Sequence, residues 1–288
     1  MAYPLQKVDD KSPSPKIRSL VMNFIWGHKD GQKQKNRTVS VHTKNLIHEF
    51  YHMNKIKCAL VQVSLAASAI AGALCVSTNA YALSIDYRHE YVDVTKSHKD
   101  RFMLSDTFAN GFGYSVETKA KSGGDSQDEA YSEMESNGAE FSVSYKYKLN
   151  SNIFVQPAMN IEFGDHKAIY KPSFKVQYTF DNGIYVAARY RFEYTRENQE
   201  NKIDENCHRY EGWLGYKTGP WAFEGNYIWR DSDKIRFDNK ETDYEYDFKV
   251  AYQIDNHWAP FAQIGNVKVD STSDARQTRF RVGIKYNY

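Results

Sequence analysis

Long apolar runs are almost absent from this chain of 288 residues, whose mean hydropathy is −0.71. A membrane-spanning helix needs about 20 consecutive apolar residues, and the stretch from Cys58 to Val76 alone approaches that length, so a bundle of such helices is excluded. Cysteine is equally scarce. Two of the three, Cys58 and Cys75, sit in that one apolar run, which leaves Cys207 without an internal disulfide partner downstream. A basic surplus is missing as well. The chain holds 38 Lys/Arg and 36 Asp/Glu; 11 and 4 of these precede Leu83, so residues 83–288 keep 27 and 32 and are net −5. No nucleic-acid partner is expected from that balance, and any basic character must be local. Cofactor, metal and catalytic motifs are also lacking. Cys207 beside His208 reads as a bland thiol in a polar connection.

The apolar run has an explanation of its own. Met53-Asn54-Lys55-Ile56-Lys57 is a short basic start, Cys58 to Val76 is uncharged and Ala-rich, and Ala80-Tyr81-Ala82 is an A-x-A site. That order is the pattern of a secretory signal peptide, and it predicts cleavage after Ala82 with Leu83 as the first mature residue. Leu74 before Cys75 does not suit lipid attachment. Residues 1–52, Lys-rich and unpatterned, read as a mis-assigned start, or else as a disordered extension. The predicted organisation is therefore 1–52, a signal at 53–82, and one domain at 83–288.

What is abundant is aromatic: 22 Tyr, 16 Phe and 5 Trp. From Leu83 onward the dominant pattern has period two, the signature of strands with one apolar and one polar face. Phe141, Val143, Tyr145 and Tyr147 alternate with Ser142, Ser144, Lys146 and Lys148. Ile184, Val186, Ala188, Tyr190, Phe192 and Tyr194 alternate with Arg189, Arg191 and Glu193, and Phe280, Val282, Ile284, Tyr286 and Tyr288 alternate with Arg279, Arg281 and Lys285. Short turns at 110–111, 150–152, 181–183, 218–220 and 255–256 alternate with longer polar stretches near 93–99, 122–138, 164–167, 197–207, 231–242 and 268–275. This predicts an all-β fold, a twelve-stranded antiparallel transmembrane barrel with both ends on one side and outer-membrane lipid around it. Two features resist it. Pro157, Pro172 and Pro260 fall inside predicted strands, and the segments 153–163 and 258–267 show no clear phase.

Period two alone does not say which face is inside. The export signal, the alternation of loop lengths and the aromatic ending favour polar-inside. On that reading Arg88, Arg101, Lys119, Lys146, Lys148, Lys171, Lys175, Arg189, Arg191, Arg209, Lys249, Arg279, Arg281 and Lys285 line a narrow pore. Its charge suits carboxylate groups, which guanidinium grips bidentately, and Tyr185 and Trp213 offer ring faces. The bland alternative is that these bases neutralise Glu117, Glu140, Glu193 and Glu211. The doubled arginines 189/191 and 279/281 exceed what one nearby Glu needs, which favours a functional role for them.

The segments Ala188-Arg189-Tyr190-Arg191-Phe192-Glu193-Tyr194, Trp213-Leu214-Gly215-Tyr216 and Arg279 to Tyr288, with Asn110-Gly111-Phe112 before Glu117, resemble the oligogalacturonate-specific porin family of KdgM-like outer-membrane channels. The resemblance covers nearly all of 83–288 and departs only in ending on Tyr288 where Phe is common. It implies a monomeric twelve-stranded channel taking up acidic oligosaccharides; a sialic-acid channel among such relatives leaves the sugar open. A barrel enzyme of the phospholipase type is the rival, and it needs an H-x-S arrangement. None of His89, His98, His166, His208 and His257 has Ser two residues on. A plugged structural barrel is the third reading.

Overall fold

The computed structural model describes residues 83–124 and 128–288. The expected extension and signal at 1–82 lie outside the described residues. The strands are β1 Ser84–Val92, β2 His98–Thr107, β3 Phe112–Lys121, β4 Glu135–Tyr145, β5 Tyr147–Lys148, β6 Ile153–Phe163, β7 Lys167–Thr179, β8 Ile184–Glu197, β9 Glu205–Thr218, β10 Trp221–Ser232, β11 Thr242–Tyr252, β12 Trp258–Lys268 and β13 Arg276–Asn287. Every strand pairs antiparallel with its sequence neighbour, β1 pairs with β13, and β4 and β5 both pair with β6. β5 continues β4 past Lys146, so the wall is a closed antiparallel barrel of twelve strands. Closure leaves no edge, which is the condition for a sheet to cross lipid.

Exposure settles the facing. Among the described residues eight buried side chains are apolar and sixteen are polar or charged, whereas Phe174, Val186, Leu214, Phe248, Ile264 and Val282 stand exposed. A soluble barrel buries its apolar face; this one turns it outward. At the end carrying the short turns, Trp221 packs edge-on against Tyr252 and Trp258 against Tyr286, each with ring centroids 4.7 Å apart. They form part of an aromatic girdle of the kind that sits at a membrane boundary.

The three prolines obey the barrel in a way the sequence did not make plain. None ends a strand, and each faces outward with its missing N–H toward a gap in a ladder. Pro157 stands opposite Tyr145, where pairing breaks between Ser144↔Ala158 and Tyr147↔Val155, which is why β5 separates from β4. Pro172 falls in the interruption between Tyr170↔Tyr194 and Ser173↔Arg191, and the β11–β12 ladder starts at Ala251↔Phe261, one step past Pro260. At Pro157 and at Pro172 two successive pairings are skipped and the register continues unchanged beyond them.

The turns fall where expected, and several long stretches are shorter because strands run further into them. β9 begins at Glu205, so Cys207 is not in a loop. Its side chain is 0% exposed, on the inward face of a strand. The sequence around it, Glu205-Asn206-Cys207-His208-Arg209, carries no apolar alternation, because near the mouth polar residues occupy both faces.

Candidate functional site

Alternation along each strand points one set of side chains into the lumen, and register decides which of them meet. All fourteen predicted basic residues lie on the inward phase, but the structure divides them into two groups.

The first group is consumed by carboxylates. Arg281 Nε donates to Glu90 at 2.6 Å and Arg279 reaches both oxygens of Asp247 at 2.7 and 2.8 Å. Arg189 and Arg209 share Glu211, and Arg209 also approaches Glu193 at 3.3 Å, as Arg191 does at 3.9 Å. Lys171 sits between Glu140 and Glu162, Lys119 between Glu162 and Glu117, and Arg101 between Glu117 and Asp86. Arg230, absent from the predicted set, completes this belt by pairing with Glu245 at 2.7 Å. The expectation that the doubled arginines exceed their local acids is therefore corrected. Arg189 and Arg191 have Glu211 and Glu193, and Arg279 and Arg281 have Asp247, Glu245 and Glu90. Glu193 lies two residues from Arg191 on β8, but Glu211 and Glu90 come from the adjacent strands β9 and β1, and Asp247 and Glu245 come from β11, two strands from β13.

The second group is free of carboxylates. Among the described residues, Arg88, Lys146, Lys148, Lys175, Lys249 and Lys285 have no ion pair within 4.0 Å. Arg88 stands directly across from Arg101, an unfavourable pairing of like charges. Arg101 and Arg281 each take their own acids, which leaves Arg88 alone with its Nε buried and unbonded. Lys285 stands opposite Asp86, which Arg101 occupies. Aromatic faces serve the rest. Lys249 Nζ lies 4.4 Å from the Phe261 ring centroid and Lys146 Nζ 4.2 Å from that of Phe154, while Lys175 and Arg189 flank Trp213 at 4.8 and 5.1 Å. Lys148 is exposed at the short-turn rim.

At the belt lies a cavity of about 450 Å³, lined by paired groups such as Arg209, Glu211, Arg279 and Asp247 and by Arg88, Lys249, Trp213 and Phe261. Trp213 and Tyr185, both expected to offer ring faces, lie on the inward phase: Trp213 is flanked by Lys175 and Arg189, and the Tyr185 hydroxyl donates to Glu224. Phe154 and Phe261 were missed because they interrupt the polar phase of the two strands whose faces could not be read. No group of three His, Cys, Asp or Glu side chains among the described residues is arranged to hold a metal ion.

Comparison with known proteins places this architecture. The family model described as oligogalacturonate-specific porin protein (KdgM) matches residues 76–288. The chain belongs to that family. The oligogalacturonate-specific porin KdgM of Dickeya dadantii (strain 3937) is 37% identical over 230 residues, 76% of this chain and 97% of KdgM. The protein YiiY of Salmonella typhimurium (strain LT2) is 43% identical over 216 residues, 74% of this chain and 93% of YiiY. A solved KdgM porin structure superposes with a TM-score of 0.54 at 27% identity, covering 71% of this chain and 99% of that one. The NanC porin shares the fold, with a TM-score of 0.61 at 18% identity over 70% of this chain and 98% of its own. KdgM-family proteins are channels, so the protein is an outer-membrane porin.

Proposed function

We propose that the porin carries acidic oligosaccharides passively inward, and that the carboxylate-free cations of its lower lumen select for them. The observation that carries this reading is Arg88, a half-buried guanidinium with no ion-pair partner among the described residues and a buried, unbonded Nε, facing the cavity beside Lys249 and Phe261. A cation left unpaired in a poorly solvated site is costly, and an entering carboxylate relieves that cost with bidentate geometry. The belt above contributes little net charge, because its arginines are already matched. It holds the wall in shape and limits the width of the passage. Ring faces at Trp213 and Phe261 suit the apolar faces of sugar rings.

KdgM has been solved in complex with oligogalacturonate, and similarity to it makes galacturonate oligomers the first substrates to try; sialate is the alternative within the same chemistry. We further propose that residues 53–82 direct export and are removed after Ala82, and that the channel works as a monomer. Single-channel recording tests the transport reading. Galacturonate oligomers should interrupt the current at concentrations where neutral oligosaccharides of equal length do not. Equal block by both would refute it.

A further inference from the structure

Outside the lumen, on the lipid-facing side of β1 and β2 near the long-loop end, stands a cluster that transport does not use. Tyr87, His89 and Tyr91 project outward from β1, and His98 and Asp100 from β2. Asp100 is only 9% exposed, because the β3–β4 connection folds against this face. Tyr131 of that connection stacks near His89, with centroids 5.1 Å apart, and its hydroxyl lies 3.2 Å from that of Tyr87. Tyr131 holds a left-handed backbone, φ 64°, which a bulky residue adopts only when its surroundings impose it.

Proton counting along the chain of contacts is informative. Tyr87 donates to Asp100 Oδ1 at 2.6 Å. His89 Nδ1 lies 2.9 Å from the same oxygen, His89 Nε2 lies 3.1 Å from His98 Nδ1, and His98 Nε2 lies 3.2 Å from the main-chain oxygen of Asp128. With Asp100 ionised, two of these contacts end on oxygens that only accept, so His89 Nδ1 and His98 Nε2 both carry hydrogen. The contact between the rings needs one hydrogen more. Three N–H groups on two imidazoles means one surplus proton, and ionised Asp100 balances its charge.

The geometry points to a proton-dependent clasp: His89 and His98, sharing one proton against Asp100, pin the β3–β4 connection to the outer wall through Asp128 and Tyr131. With the proton lost, either two ring lone pairs face each other or one faces the Asp128 oxygen. With a second proton gained, two N–H groups of like-charged rings oppose each other. Anchorage is therefore greatest at intermediate pH and falls on both sides. The adjoining outward positions, Phe280, Val282 and Ile284 on β13 and Thr118 and Ala120 on β3, are uncharged, and the connection itself brings the acidic residues Asp128, Glu129 and Glu133.

The test uses the full mature barrel in detergent micelles, with a nitroxide on Ala130→Cys, an exposed position, in a Cys207→Ser background. The immobile-to-mobile ratio of the label should peak at intermediate pH and drop about five- to tenfold toward both extremes, the factor carried by one hydrogen bond. His98→Gln should abolish the peak. Asp100→Asn should move the alkaline fall to lower pH, since the balancing charge is gone. A flat or one-sided profile in the parent barrel, or a peak that survives His98→Gln, would overturn the clasp. Nitrogen NMR of labelled histidine checks the count without substitution. Two neutral rings across the whole plateau contradict it.

Discussion

A charged residue here is defined by its neighbours across the sheet more than by its own identity. Arg279 and Arg88 both face the lumen, yet one holds both oxygens of Asp247 and the other holds nothing. Removing Arg279 would strand a buried carboxylate, whereas removing Arg88 strands none, so the second is the residue whose charge is available to a passing ion. The space for such chemistry is set by glycine. Gly283 lies opposite Arg88, and a Cβ there would come within 2.4 Å of both the Tyr87 carbonyl oxygen and the Phe261 ring. The ring can turn, but the backbone oxygen cannot. Gly283→Ala should cost about 1–3 kcal/mol, read as a lower urea midpoint of the refolded barrel. An unchanged midpoint would mean that the β1–β13 seam is slack.

At the scale of the strand and its turns, regular alternation made most elements legible from sequence. β8 from Ala188 to Tyr194 and β13 from Arg279 to Val282 alternate aromatic or aliphatic residues with Arg or Glu, and both strands run where expected. β6 and β12 could not be phased. Phe154 and Phe261 sit on the inward face and Pro157 and Pro260 on the outward one, so each strand carries residues of the wrong class for a period-two reading. The ion-pair belt was illegible for a different reason. Lys171 meets Glu140 two strands away, a contact fixed by register, which single-strand patterns do not contain.

The turn between β11 and β12 shows how a short element is held by one side chain. Asp255 accepts from the backbone N–H groups of Trp258 and His257, both at 2.8 Å, and these bonds hold its carboxyl below the usual carboxylate range. A depressed folded value means the contribution is complete at neutral pH and is lost as the pH falls below about 4. The stability gap between the parent and Asp255→Ala should accordingly narrow on acidification, measured by urea titration at several pH values. A gap independent of pH would show that the carboxylate charge is not what holds the turn.

Over the whole molecule, a chain that is polar on average crosses a membrane by turning its apolar residues outward and satisfying its charges inside. Residues 83–288 are net −5, so overall charge works against anion entry and the preference must arise locally. If export proceeds as proposed, intact-mass measurement of the purified outer-membrane protein should give a chain beginning at Leu83; retention of residues 1–82 would refute the processing step. The central claim is that unpaired cations, rather than the paired arginines, set selectivity. It is tested most directly by the reversal potential of single channels across a KCl gradient, comparing the parent with Arg88→Gln/Lys249→Gln/Lys285→Gln. The account predicts an anion-selective parent whose preference fades toward 1 M salt, where the screening length is about 3 Å, and a triple variant that conducts with that preference lost or reversed. A triple variant that folds, conducts and keeps the parent's anion preference at low salt would contradict it.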